Sequence, residues 1–446
     1  MSQKPRVLVL GGLNVCSGQL LRYLVAPEGK PDLLVSPLEV PAKSCAYSLD
    51  FYVFIAYASN LLASVSYLGS RVRAVFDNPI IEYRQANLAI PNIVSSVFEP
   101  PSSGASELSW DIVFDFTGEI RYERSDDHHL QQTAKVAQLL GQEAAKRKVG
   151  AYVRITHPFY HTSTSDKPSK EKDRAKGLTK EHEGVKPASV RGYWWHEALR
   201  ALAAIQGLNL VIVRVGAAYG PQQTFGTVHS RIIVGRVYQY RQWEMKYLWT
   251  PGLRYNTVHA WDVAGAVWEV GKWMLATGRA QADEIAGETI QHFPAKAKDV
   301  EEKAAAFLDT KIEPKAPLFN LVDDGDTTLK DIGEAISEVL ELDFSFYGML
   351  TNASMSIKKD LQDIANETND EHMESWGELI LNSSPPVPLT PLTPFVDTHY
   401  LYKYSVAYSN EKLKRIIGYK FKYPKFGAEQ VGDIVRSFQE EGTWPN

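Results

Sequence analysis

The sequence predicts an α/β fold: a doubly wound, mostly parallel sheet with a smaller C-terminal α+β lobe. Short, continuous apolar runs recur along the chain. They alternate with segments of helical spacing as far as residue 275, and beyond 320 the pattern changes to strand, turn and helix. Continuous apolar runs suit strands buried on both faces, and alternation with helices implies right-handed crossovers between parallel strands.

Taken in order, "RVLVLGG" (6–12) is the first strand, and "SGQLLRYLV" follows with helical spacing. "DLLVSPL" (32–38) reads as the second strand, "IIEYRQANL" (80–88) as the third and "DIVFDFTGE" (111–119) as the fourth. Residues 126–148 form a helix with acids at its start and bases at its end, as the helix dipole favours. "AYVRITH" (151–157) is the fifth strand, a helix begins near 190, and "NLVIVRVG" (209–216) is the sixth strand. Then "SRIIVGRVYQYRQWEMKYLW" (230–249) reads as helix and 255–275 as a strand feeding a helix. A helix is capped by Asp326, Thr327 or Thr328, and the five prolines of 383–395 impose an irregular path. The expected organisation is a nucleotide-binding domain over 1–220 with an insertion at about 45–66. The lobe begins at 221–254, the chain returns to the main domain over 255–290, and 291–446 complete the lobe.

Composition excludes several classes. The chain has 446 residues, 44% hydrophobic and 23% charged, with a net charge of −5. No clustered positive field exists for nucleic acid. Two cysteines, Cys16 and Cys45, make no disulfide framework and point to a reducing compartment. The N-terminal apolar run is too short for a signal peptide, so the expected location is cytoplasmic. Residues 45–68 are apolar and aromatic, but Ser48, Asp50, Ser59, Asn60, Ser64 and Ser66 dilute them. A membrane span is not expected there. The segment reads as a packed or partner-facing insertion, or as one with no role of its own. The histidines show no metal-ligand spacing.

The first chemical motif is "GGLNVCSG", with Gly11, Gly12 and Gly18 where strand one meets a helix. Glycines there let backbone N–H groups approach a pyrophosphate at the positive helix end. The expected ligand is a nicotinamide dinucleotide, NAD or NADP. The middle glycine of the usual pattern is missing: Asn14 and Val15 stand in its place, and Asn14 is the better substitute because asparagine tolerates positive φ. At the end of the expected second strand stands Ser36, which neither repels a 2′-phosphate nor clamps one.

"VLVLGGLNVCSG", "DIVFDFTGE", "ITHPFY", "GYWWHEALRAL", "VRVGAAYGP" and "NTVHAWDVAGAVW" occur in an order that resembles the extended short-chain dehydrogenase/reductases, in particular the NAD-dependent epimerase/dehydratase group. The resemblance covers about residues 5–275 and implies a Rossmann domain, a nucleotide-sugar-like substrate and a homodimer. It also implies that Tyr193 is the acid/base and Thr156 the hydroxyl that orients the substrate oxygen. Thr117 and Gly118 would pass under the cofactor, Gly216 would leave room for the nicotinamide, and Arg231 and Arg254 would hold a diphosphate. The family's lysine, four residues after the tyrosine, is here Glu197. A carboxylate raises a nearby phenol's pKa, which opposes general-base work. His196, Arg200 and the upstream Arg191 are the cations that could compensate, and Glu197 could itself act as a base. Two readings follow: redox isomerisation or reduction of a nucleotide-sugar-like substrate, or a catalytically silent cofactor-binding interaction protein.

Overall fold

The computed structural model describes residues 5–11, 14–26, 53–57, 67, 69–100, 109–162, 177–183, 185–357 and 361–446. Among these, one eight-stranded sheet organises the chain. Its strands are β1 (Val7–Leu10), β2 (Val53–Tyr57), β3 (Ile81–Gln85), β4 (Ile112–Asp115), β5 (Ala151–Thr156), β6 (Leu210–Val215), β7 (Gly287–Thr289) and β8 (Lys315–Leu321). The spatial order is β7-β8-β6-β5-β4-β1-β2-β3, and every pairing is parallel except β7 with β8. Register is set by pairs such as Val7 with Ile112 and Tyr152 with Leu210. The order reverses between β1 and β4, which is where a doubly wound sheet opens its ligand crevice.

Alternation along each strand sends side chains to two cores. Leu8, Leu10, Val113, Tyr152 and Ile212 meet the helix Val136–Lys146 and helix α2 on one face. Val7, Val9, Phe114, Val153 and Val213 meet helices α1 and α3 on the other. Here α1 is Val15–Val25, α2 is Val190–Ala204, α3 is Ala260–Thr277, and α4, which follows β7, is Lys298–Phe307. A third core lies in the lobe, built on helices Thr227–Arg241, Leu329–Leu340, Gln362–Asn382 and Ala428–Glu440.

Three expectations need correcting. The second strand is Val53–Tyr57, within the apolar run read as an insertion; Ser36 and 32–38 lie outside the described residues. That run supplies backbone to both β1 and β3. The helix expected over 230–249 ends at Arg241, where Gln242 turns left-handed at φ 56°, and Met245–Tyr247 pairs in parallel with Phe344–Phe346. Finally, β8 lies in the range assigned to the lobe, yet it pairs with β6.

The lobe is sewn to the sheet by the end of the chain. Val406 N–H donates to Arg254 O, Asn256 N–H to Val406 O, and Thr179 N–H to Ala407 O. Asp262, at the start of α3, accepts from the Tyr419 hydroxyl and from the N–H groups of Lys422 and Tyr423.

Candidate functional site

The crevice begins at Gly11. Its φ is +75°, and a Cβ there would stand 2.9 Å from the carbonyl carbon of Phe116, so only glycine fits without strain. Gly12 and Leu13 lie outside the described residues. Asn14 does not take the left-handed conformation expected of it: at φ −88° it is the N-cap of α1. Its Oδ1 accepts from Ser17 N–H, Ser17 Oγ returns to Asn14 N–H, and Asn14 Nδ2 donates to Phe116 O at 3.4 Å. The physical reason is that asparagine serves a helix start as readily as a left-handed turn. Gly18 packs on Val72, and burial pushes the Cys16 thiol up to about 12, which makes it inert.

At the ends of β4 and β5 stands a buried polar group. Arg154 Nη1 lies 2.7 Å from Asp115 Oδ2, and Tyr152 donates to the same carboxylate at 2.7 Å. Thr117 donates to Asp115 through both its N–H and its hydroxyl. Gly118, at φ +133°, lies against Trp195, whose ring carbon would be 2.4 Å from a Cβ there. Trp195 is fully buried, donates to Glu119 O, and packs on His157, Phe159 and the Arg154 guanidinium. Burial lowers His157 to about 3, with Arg191 and Arg154 adding to the effect. Thr156 is fully buried beside Tyr160; burial raises the Tyr160 phenol, and Arg214 and the Thr156 hydroxyl oppose that rise.

Tyr193 and Glu197 belong to a different network. The Tyr193 hydroxyl donates to Glu301 Oε2 of α4 at 3.2 Å, and burial, then Glu197 and Glu301, raise its pKa. Glu197 pairs with Arg200, while His292 bridges Glu197 at 3.2 Å and Glu301 at 2.9 Å. Arg200 also donates to the carbonyls of Asp309 and Ile312. Tyr193 is thus engaged by α4 and not by Thr156. The α2 side chains that reach the strand ends are Arg191 and Trp195, four apart on one helical face. Arg191 lies over the Phe159 ring at 3.9 Å, and the Tyr122 ring stacks on His399 of the lobe at 5.2 Å.

The remaining positions differ in role. Gly216 is held small by Val322 and the Asn256 carbonyl, which lie 2.5 and 2.7 Å from where a Cβ would stand. Arg254 is engaged by both oxygens of Asp326. Arg231 lies among the rings of Tyr247, Tyr255 and Tyr400 and donates to Thr227 O. A separate cavity of about 280 Å³ lies between α2, β6 and β7, with Glu181, His196 and Arg214 among its lining.

No protein-family model matches the sequence, and no curated protein matches it. Solved structures do match. dTDP-glucose 4,6-dehydratase from Streptomyces venezuelae, with NAD bound, is 15% identical at a TM-score of 0.57, covering 98% of both chains. UDP-glucose 4-epimerase from Thermotoga maritima, with UDP-glucose, is 13% identical at 0.54, covering 98% of this chain and 99% of that one. UDP-glucuronic acid 4-epimerase from Bacillus cereus, with UDP-glucuronic acid and NAD, is 10% identical at 0.55, again covering 98% and 99%. The chain has the extended short-chain dehydrogenase/reductase fold.

Sequence reasoning about that fold finds Gly11, Thr117, Gly118 and Thr156 at the strand ends. It misses Arg154, His157 and Tyr122 as members of the same cluster. A signal exists: an arginine inside the otherwise apolar run "AYVRIT" has to find a buried partner.

Proposed function

We propose that the chain binds NAD or NADP, chiefly through its ADP-ribose half, and acts as a cofactor-binding protein of the epimerase/dehydratase fold without tyrosine–lysine hydride chemistry. The observation that carries this reading is the placement of Trp195 on Gly118, together with the engagement of Tyr193 by Glu301. The cradle suits a diphosphate: left-handed Gly11, a close approach of β1 to the Phe116–Thr117 backbone, and the start of an 11-residue helix. The reaction end does not suit the usual chemistry. No ammonium stands four residues from Tyr193, and a phenol held protonated by burial and two carboxylates is a poor base at neutral pH. When bound, a nicotinamide ring supplies hydride chemistry. On this reading the chain contributes the phosphate cradle and a polar-ligand cleft facing the lobe; Arg231 lies on that side among tyrosine rings, whereas Arg254 is already held by Asp326. The ligands named in the related structures favour a nucleotide-sugar-like molecule there.

Titration with NADH, NADPH and ADP-ribose tests the reading. ADP-ribose should bind within about tenfold of the dinucleotides and stabilise by about 2.7 kcal/mol at a hundredfold excess over Kd. Absence of saturable binding by all three overturns it. The enzymatic reading predicts an absorbance change at the reduced-nicotinamide band with a panel of nucleotide sugars, lost in Tyr193→Phe. Such turnover would replace the proposal.

A further inference from the structure

Two arginines meet at the ends of β4 and β5, and their electrostatic situations differ. Arg154 is fully buried and has Asp115 as its counterion. Arg191, in the first turn of α2, is 4% exposed, and no described carboxylate pairs with it. Its Nη1 donates to Ile120 O, whereas Nε and Nη2 are buried without partners. Asp397 of the lobe acts on it through space. The rings of Phe159 and Tyr122 flank the guanidinium at 3.9 and 5.5 Å.

Nε and Nη2 form the edge with which an arginine grips a carboxylate or phosphate through two parallel hydrogen bonds. A buried cation without an anion bonded to it is costly, and here the 15-residue helix α2 adds the positive end of its own dipole. The Nε and Nη2 atoms of Arg154 are further buried donors without partners in this cluster. We propose that the cleft binds a small ligand by its carboxylate or phosphate group, held on the Nε/Nη2 edge of Arg191. Phe159, Tyr122 and Trp195 enclose the part of the ligand that carries the anion. Because Tyr122 stacks on His399, the ligand sits where sheet and lobe meet. This deepens the reading of the cleft as a polar-ligand site and does not require the dinucleotide cradle.

The test is thermal denaturation and tryptophan fluorescence of the full chain with inorganic phosphate or benzoate, against sodium chloride at equal ionic strength. At least one oxyanion should raise the melting temperature saturably; phosphate alone identifies a phosphate ligand and benzoate alone a carboxylate. Arg191→Met should weaken that response at least about tenfold while melting like the wild type in chloride, because it strands no partner carboxylate. Arg191→Lys keeps the charge without the edge and should also bind about tenfold more weakly. The proposal fails if neither anion acts on the wild type, or if Arg191→Met responds equally. It also fails if Arg191→Met melts far below the wild type in chloride, since Arg191 is then only a structural cation. Loss of dinucleotide binding with the anion response intact would sink the cradle alone.

Discussion

Glu197 shows how a side chain's partners decide its role. Buried between Arg200 and His292, it is paired with both. Glu197→Gln should therefore cost about 3–5 kcal/mol in urea unfolding, because the Arg200 charge is left uncompensated. Glu197→Lys should give no folded protein, since an ammonium would face that guanidinium. Tyr193→Phe removes one hydrogen bond to Glu301, should cost about 1 kcal/mol, and should leave dinucleotide affinity unchanged. A large loss of affinity would return Tyr193 to the cofactor site. Gly11 is legible as a required glycine from its place after a strand. Asn14 is not legible in the same way, because its amide satisfies helix caps and left-handed turns alike.

Among elements, most strands are legible because a run such as "LVIVRV" has no amphipathic alternative in a doubly covered sheet. The exception is β2. "DLLVSPL" and "VFIAY" carry the same signal, and apolar pattern alone cannot say which one pairs with β1. Since Val53–Tyr57 is paired on both edges, Ile55→Pro should remove a ladder hydrogen bond and cost about 1–3 kcal/mol through the acceptor it strands. Circular dichroism and solubility check this; a well-folded variant would mean the segment is dispensable. Helix α2 shows a different limit. Residues 191–203 are all buried, so hydrophobic periodicity cannot show that Arg191 and Trp195, rather than Tyr193 and Glu197, face the strand ends.

For the whole molecule, the number of neutral buried histidines sets the response to acid. Burial lowers His129 and His229 to about 4, and His157, His196 and His259 to about 3. A depressed folded-state value means stability is fully present above the usual histidine range, near 6.5, and is lost as pH falls from there through 4 to 3. Asp323, raised to about 7 by burial, acts oppositely: its contribution is present below the usual carboxylate range and is lost as pH rises through 7. Burial also lowers His161, His372 and His399 and raises Glu181, Glu197, Asp262, Asp397 and Glu441, so among the described residues eight histidines oppose six carboxylates. The melting temperature should fall from about pH 6.5 to about 4, and His129→Gln should flatten that slope. The division into sheet and lobe is legible in the alternation of elements. The return of 315–321 to the sheet is not, because pairing between distant segments leaves no local mark. That return also bears on how the protein is made. β6 leaves the ribosome about 100 residues before its neighbour β8, a delay of roughly 5–20 s at ordinary translation speeds. Throughout that interval the nascent chain carries an open, sticky β edge, so chaperone supply during synthesis should govern the yield of intact protein.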